Sequence, residues 1–241
     1  MLRTQYLVDS RSPRYAILFA VPLWIAYETM AWLLTTPGEP GVRNGADVIL
    51  KAPFARLGGS WGVIGFEALL LAIATWLVVR DWRRHPGPLR LGVFAGMAAE
   101  AALLALVIGV VLRYATATLL HYFTLSSPAG LGTSTQLMVS LGAGIYEELL
   151  FRVILVGALS WLGGRAFGWS PRGAAIFAVL VSALLFSAFH YVGMYGDTLR
   201  LSSFLFRLLA GLVFSTLYVV RGFGITAWTH TLYDFAVTLA P

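Results

Sequence analysis

Residues 91–112 of the chain read LGVFAGMAAEAALLALVIGVVL, and this run contains a single ionisable side chain, Glu100. A helix of about 20 apolar residues is long enough to cross the roughly 30 Å hydrocarbon core of a bilayer. A strand of a membrane barrel would instead alternate apolar and polar residues, which this run does not do. The stretch therefore predicts a membrane-spanning helix.

Six further runs of the same kind lie along the chain. Together the seven predicted spans are approximately Tyr15–Leu34, Trp61–Val79, Leu91–Leu112, Leu137–Leu162, Gly173–Val192, Ser203–Val220 and Gly222–Ala240. The composition agrees, since 59% of the residues are hydrophobic and 12% are charged, about half the charged share of soluble proteins. Helices satisfy their own backbone hydrogen bonds in lipid. The sequence therefore predicts an all-α, polytopic transmembrane helical bundle, in which an eighth helix would lie within residues 37–60 or 114–136.

The basic residues predict the orientation of this bundle. The net charge is +6, and in a membrane protein such an excess indicates basic cytoplasmic loops rather than binding of nucleic acid. With a cytoplasmic N-terminus, the cytoplasmic segments hold ten arginines, and the outer segments hold five basic residues, namely Arg43, Lys51, Arg56, Arg113 and Arg200. We expect a multi-pass protein of a prokaryotic inner membrane, with residues Asp47 to Arg56 forming an amphipathic helix at the interface.

Ionisable residues are unevenly distributed among the predicted spans. Each of the first three spans holds one glutamate, Glu28, Glu67 or Glu100, and the last four hold Glu147, Glu148, Arg152, His190, Arg207, His230 and Asp234. Because such residues are costly in lipid, each one indicates a functional position. Residues 1–127 are therefore predicted to form a membrane region of three spans without an assigned role. Residues 128–241 are predicted to form the helical core that holds most of the candidate functional residues, within what is one structural domain overall.

The glutamate pair of the fourth span predicts two different roles. Glu148 and Arg152 are four residues apart on one helix face, which favours a buried ion pair. Glu147 is rotated by about 100° on an α-helix and has no local partner, so it is a candidate general base. The alternative is that both glutamates are structural ties between helices.

Two histidines follow on later spans, each with a neighbour four residues away. Phe186 and His190 share a face at the end of the fifth span, and His230 and Asp234 share a face in the seventh. The second pair is typical of an acid–base couple, an oxyanion-binding pair or two metal ligands. The chain has no cysteine, so a thiolate metal site, a disulfide and a cysteine nucleophile are excluded.

The ordered motifs Glu147-Glu148-x-x-x-Arg152, Phe186-x-x-x-His190 and His230-x-x-x-Asp234 resemble the CPBP family of CAAX proteases and bacteriocin-processing enzymes, also called Abi proteins. The resemblance implies a glutamate-dependent intramembrane protease, with residues 128–241 as its catalytic core. Its activating glutamate would be Glu147, its water-positioning histidine His190, and its oxyanion-stabilising histidine His230.

The same resemblance implies supporting residues and one departure. Glu148 and Arg152 would form a supporting ion pair, and Phe186 would pack within its motif. Asp234 stands where the family commonly has asparagine, and an ionised aspartate cannot donate a hydrogen bond to an oxyanion. Asp234 would then orient His230, stay protonated or help to hold a metal.

The cofactor and the partners follow from the implied mechanism. Hydrolysis by an activated water requires no cofactor, although Glu147, His190, His230 and Asp234 are also suitable ligands for a divalent metal. The expected partners are the lipid bilayer and a protein or peptide substrate, cleaved near its C-terminus or a membrane segment.

Other functions fit the sequence less well. It contains no H-E-x-x-H zinc motif, and no serine of a Gly-x-Ser-x-Gly elbow lies on a predicted span. An aspartyl pair would need Asp197 beside Asp234, but Asp197 lies in a polar turn. A proton-coupled transporter would use intramembrane Glu and His, yet no internal repeat is present. A non-catalytic immunity or scaffold protein of the same fold also stays open.

Overall fold

The computed structural model describes residues 2–35, 41–120, 131–193 and 196–239, and helices account for nearly all of them. The elements are α1 (Leu2–Arg11), α2 (Pro13–Leu33), α3 (Gly45–Arg84), α4 (Leu91–Leu120), α5 (Thr133–Gly142), a π-helical segment (Ala143–Val156), α6 (Gly157–Ala166), α7 (Pro171–Phe189), α8 (Leu201–Arg221) and α9 (Phe223–Leu239). These described residues contain no strand. The prediction of an all-α fold is confirmed.

Five of the described helices are long and apolar enough to cross a membrane. They are Pro13–Leu33, Gly45–Arg84, Leu91–Ala115, Pro171–Phe189 and Leu201–Arg221, and they coincide with the first, second, third, fifth and sixth predicted spans. The fourth predicted span coincides with the continuous helical run 133–166, and the seventh coincides with the 17-residue α9. The prediction of a polytopic helical bundle is confirmed. Most of the charge-free segment 114–136 lies in α4 or outside the described residues.

The bundle exposes large apolar side chains and buries several of its ionisable ones within a mainly apolar core. Trp32, Leu106 and Ile176 are 74%, 65% and 62% exposed, whereas Glu148 and Arg152 are fully buried. Water would disfavour such an apolar surface, whereas lipid favours it. The burial of ionisable side chains also fits a bilayer, because polar groups there must find their partners within the protein. The chain is therefore a multi-pass membrane protein.

Helix α3 is divided by a sharp kink into two arms, residues 45–57 and 60–84. The kink lies at Gly58 and Gly59, and Gly59 has a φ of 55°, a left-handed conformation that favours glycine. The first arm is the helix predicted near the interface. Its polar residues Asp47 and Lys51 are buried against the bundle, while Val48 points outward at 52% exposure.

Helix α1, which we did not expect from the sequence, lies at the end of the bundle where α8 ends. Arg221, at the end of α8, donates to Ser10 of α1 at 3.0 Å and to Glu100 of α4 at 2.7 Å. Glu100 also accepts a hydrogen bond from Tyr6 of α1 at 2.5 Å. The glutamate of the third span is thus paired with an arginine at this end of the bundle.

The π-helical segment carries both glutamates of the fourth predicted span. A π-helix is wider than an α-helix, and such stretches occur frequently at functional sites. The rotation of about 100° expected between Glu147 and Glu148 assumed an α-helix. The segment is instead a π-helix, so this geometric assumption was wrong. Across the helix boundary, Ser182 of α7 donates to the backbone carbonyl of Phe151 at 2.7 Å, which ties the segment to α7.

Two glycines let neighbouring elements approach this segment closely. A Cβ atom added to Gly142 would lie 2.6 Å from Cβ of Asn44 and 2.6 Å from the ring of Tyr27. A Cβ atom added to Gly144 would collide with the Thr231 hydroxyl and lie 2.6 Å from the Ala227 carbonyl. Gly142 therefore accommodates the chain between α2 and α3, and Gly144 accommodates α9.

Candidate active site

A cavity of about 280 Å³ opens between α5, the π-helical segment, α7, α8 and α9. Glu147 from the π-helical segment, His190 from the end of α7, and His230 and Asp234 from α9 all line it. The four residues that the motifs singled out are therefore brought together from three separate parts of the chain. The rest of the lining is mainly apolar and includes Val139, Phe206, Ala210, Phe214 and Val237.

Glu147 is anchored by a residue that sequence spacing did not indicate. The side-chain amide Nδ2 of Asn44 donates to Glu147 Oε1 at 2.8 Å. Asn44 lies directly before α3, and its Oδ1 accepts from the backbone N–H of Ala46 at 2.9 Å. Glu147 has no partner within its own helical turn, as expected, but it has one 103 residues away.

Glu148 is completely buried and joins two of the motifs. One carboxylate oxygen, Oε2, lies 3.3 Å from Nε of Arg152, and this is the expected contact four residues along the chain. The other, Oε1, accepts from Nδ1 of His230 at 2.7 Å. This second contact was not expected, and it means that Glu148 also sets the orientation of a residue in the cavity wall.

Phe186 packs at the centre of the site. The guanidinium of Arg152 lies over its ring, 4.4 Å from the centroid, in a cation–π geometry. The ring of His190 meets the Phe186 ring edge-on at 4.8 Å, and the ring of Phe214 stacks on His230 at 4.4 Å. These aromatic contacts restrict how the two imidazoles can turn.

The tautomer of His190 follows from its hydrogen bond. Its Nδ1 lies 2.8 Å from the backbone carbonyl of Phe186. Because a carbonyl oxygen only accepts, Nδ1 carries the hydrogen in this bond, and in the neutral imidazole Nε2 is left with a lone pair. His190 can therefore accept a proton through Nε2.

His230 lies between two carboxylates. Its Nδ1 is bound to Glu148, and its Nε2 lies 3.7 Å from Oδ2 of Asp234. That distance is too long for a hydrogen bond, so Nε2 of His230 is not hydrogen-bonded to Asp234. Asp234 is also less enclosed than its neighbour, with 27% of its side chain exposed compared with 6% for His230.

Metal-ligand geometry occurs in another part of the described chain. Ligand atoms of Glu28, Asp47 and Glu67 all lie within 4.8 Å of one another, whereas the four cavity residues do not converge in this way. The ammonium of Lys51 lies among the three carboxylates, 2.6 Å from Asp47, 2.5 Å from Glu67 and 3.1 Å from Glu28. The ammonium of Lys51 thus lies where a metal ion bound by the three carboxylates would lie. We call these four residues the N-terminal cluster.

Asp197, the other member of the aspartyl alternative, lies elsewhere. It pairs with Arg207 and is not among the described residues that line the cavity. An aspartyl pair with Asp234 is not formed.

Comparison with known proteins points to one family. Residues 130–236, less than half of the chain, match the family model described as Rce1-like, type II CAAX prenyl endopeptidase Rce1-like. The matched segment contains all three motifs. The chain has no match among curated proteins and none among solved structures. The match confirms the resemblance to the CAAX proteases of the CPBP family, and it supports an intramembrane protease in general.

Proposed function

We propose that this chain is an intramembrane endopeptidase in which Glu147 activates the water that attacks the scissile peptide bond. The observation that carries the proposal is the single cavity lined by Glu147, His190, His230 and Asp234. Ionisable side chains inside a membrane bundle are costly unless they are paired or face water. Four of them around one cavity fit a reaction centre better than a set of helix ties.

The attack on the peptide carbonyl uses Glu147 and His190. Glu147 Oε1 is held by Asn44, which leaves Oε2 to accept a proton from water. The lone pair on His190 Nε2 receives the second hydrogen bond of that water and fixes its direction. The water oxygen then bonds to the carbonyl carbon, and one of its protons passes to Glu147.

The tetrahedral intermediate is stabilised by His230. As an imidazolium it donates Nδ1–H to Glu148 and keeps Nε2–H for the oxyanion, a contribution that is typically worth about 10²–10³ in rate. Asp234 lies beside this edge and orients the ring through its charge. When the C–N bond breaks, Glu147 returns the proton to the leaving amine, so the products are a carboxylic acid and an amine and no acyl-enzyme forms.

The substrate we propose is a protein or peptide at the membrane, cleaved near its C-terminus or beside a membrane segment. The cavity volume of about 280 Å³ lies just below the range of ligand pockets, roughly 300–1,000 Å³. A short extended segment fits this space, and a folded domain does not. The apolar walls favour apolar side chains beside the cleaved bond. The family described as prenyl endopeptidases makes a prenylated C-terminal peptide the first substrate to test.

The test is cleavage of a panel of C-terminal peptides, prenylated and unprenylated, by the purified protein in detergent, followed by mass spectrometry. Glu147→Gln should lower turnover by about 10²–10⁴-fold, because it removes the base and preserves the shape of the side chain. Circular dichroism and the unfolding temperature should match those of the unaltered protein.

Three results would decide against the proposal. Normal turnover by Glu147→Gln would exclude the assigned base. Trapping of an acyl-enzyme with hydroxylamine would exclude direct attack by water. Proton-coupled uptake into proteoliposomes without any peptide cleavage would favour the transporter instead.

A further inference from the structure

We propose, on the basis of the proteolytic function above, that Asn44 is the positioning residue of Glu147 and that the N-terminal cluster holds Asn44 in place. Asn44 lies outside the matched residues 130–236. The helices before this segment would then supply a working part of the site.

The two ends of the Asn44 amide are used for different purposes. Oδ1 caps the first turn of α3 by accepting from Ala46 N–H, and Nδ2 donates to Glu147 Oε1. Turning the amide over would place oxygen against the carboxylate and NH₂ against a backbone donor, so the two bonds together fix its orientation. One oxygen of Glu147 is thereby fixed while the other is left for water.

Asn44 is well placed to act through Glu147 rather than on the substrate. Its side chain is buried, with 2% of the residue exposed. Among the described residues it is not part of the cavity lining, whereas Glu147 is. A substrate in the cavity would therefore meet Glu147 and not Asn44.

The backbone of Asn44 is held by a tyrosine of α2. The Tyr27 hydroxyl accepts from the Asn44 backbone N–H at 3.1 Å and donates to Asp47 Oδ2 at 2.7 Å. Tyr27 is fully buried. The position of Asn44 is therefore connected through Tyr27 to Asp47 of the N-terminal cluster.

The N-terminal cluster also holds the residue that precedes Glu147. The Tyr146 hydroxyl lies 2.9 Å from Oε1 of Glu28 and 2.9 Å from Oε1 of Glu67, so its hydrogen is shared between them. The indole N–H of Trp24 donates to the same hydroxyl at 3.2 Å. The cluster thus constrains Glu147 from two directions, through the chain at Tyr146 and through the side chain of Asn44.

A purely structural role for Asn44 makes a different prediction. If Asn44 only capped α3, an aspartate would serve equally well, since aspartate is as good an N-cap as asparagine. Asn44→Asp keeps the capping oxygen but replaces the NH₂ donor with a second carboxylate oxygen facing Glu147. The substitution therefore separates the cap from the contact to Glu147.

The experiment measures kcat, KM and the pH dependence of kcat for the full-length Asn44→Asp protein in detergent. We expect kcat to fall about 10- to 100-fold, the effect of losing one hydrogen bond to a charged group. KM should be unchanged, because Asn44 does not touch the cavity. The acidic limb of the pH profile should move to higher pH, because a like charge beside Glu147 favours its protonated, inactive form.

Two companion variants keep the inference falsifiable. Asn44→Ser retains a capping oxygen without adding charge, and it should lower kcat with a smaller change in the pH profile. Tyr27→Phe leaves the Asn44 side chain intact but removes the hydroxyl that holds its backbone, and kcat should fall while KM stays the same. If Asn44→Asp fails to fold, an unchanged kcat in both companion variants overturns the inference.

Measuring Glu147→Gln in the same assay distinguishes a failure of this inference from a failure of the proteolytic function on which it rests. If Glu147→Gln is inactive while Asn44→Asp has normal kcat and an unshifted pH profile, the inference fails and the proteolytic function stands. If Glu147→Gln is fully active, the function itself fails.

Discussion

Two groups of ionisable side chains lie next to each other in this bundle, and they are paired in opposite ways. In the N-terminal cluster, three carboxylates surround Lys51, and Arg43 adds a second cation 2.7 Å from Glu28. In the cavity, by contrast, Glu147 and Asp234 face imidazoles. Arg207 also lines the cavity, but it forms an ion pair with Asp197.

The difference separates the surroundings of a structural intramembrane carboxylate from those of the reactive carboxylate that we propose. A fixed cation neutralises a carboxylate permanently and ties two helices together, at the cost of removing both charges from water. Imidazole partners exchange protons near neutral pH, and a cavity admits the water that takes part in the exchange. Under the proposed mechanism, the same residue type therefore has a different role in each group.

The largest expected effect tests the buried ion pair that supports the cavity. Glu148→Ala leaves Arg152 buried without its partner, which should lower the free energy of unfolding by about 3–5 kcal/mol. It also releases Nδ1 of His230. Unfolding in detergent by thermal or denaturant titration measures the loss.

A double variant distinguishes the two duties of Glu148. Glu148→Leu with Arg152→Met replaces the pair with apolar side chains, which often restores stability. Activity should stay low, because His230 still lacks its carboxylate. Recovery of full activity in this variant would show that Glu148 does not orient His230.

A smaller effect is expected for the same type of change in the N-terminal cluster. Glu67→Gln removes one of three carboxylates around Lys51, and the Glu67 side chain is 20% exposed. The unfolding free energy should fall by about 1 kcal/mol, and kcat should fall less than about tenfold, since rate and barrier are related by about 1.4 kcal/mol per decade. A loss of turnover as deep as that of Glu147→Gln would mean that the cluster itself takes part in the chemistry.

The smallest expected effect comes from substitutions that test which face of the membrane the cavity and the N-terminal cluster approach. The native chain has no cysteine, so single cysteines can be labelled without background. Leu199, 67% exposed, lies in the connection at the cavity end, and the His85 side chain, 70% exposed, follows α3 at the opposite end. We expect an impermeant maleimide to label Leu199→Cys in intact cells and His85→Cys only after permeabilisation, with activity unchanged. The reverse labelling pattern would reverse the assumed orientation.

The spans could be predicted from sequence because each long apolar run is a local feature. The site residues could be grouped for a related reason, since spacing of four along a helix links Glu148 to Arg152 and His230 to Asp234. The resemblance to the CPBP family then linked these pairs, in their order along the chain, into one set of motifs. The kink at Gly58 and Gly59 was harder to predict, because adjacent glycines indicate a break in a helix without giving the angle of the kink.

The contacts that complete the site could not be predicted in this way. Asn44 reaches Glu147 across 103 positions, and His230 reaches Glu148 across 82. No periodicity encodes such pairs, which depend on how separate helices pack. The partners of Glu28 and Glu67 belong to the same category, so these glutamates had no role until Lys51 and Tyr146 were located beside them.

The glycine at position 142 has a consequence for how such a protein can diverge. It is the point where Asn44 and Tyr27 approach the π-helical segment, and Gly144 independently receives α9. A change in the N-terminal helices that keeps the contact to Glu147 must therefore also keep Gly142 small, the donor at position 44 and the side chains that hold this donor.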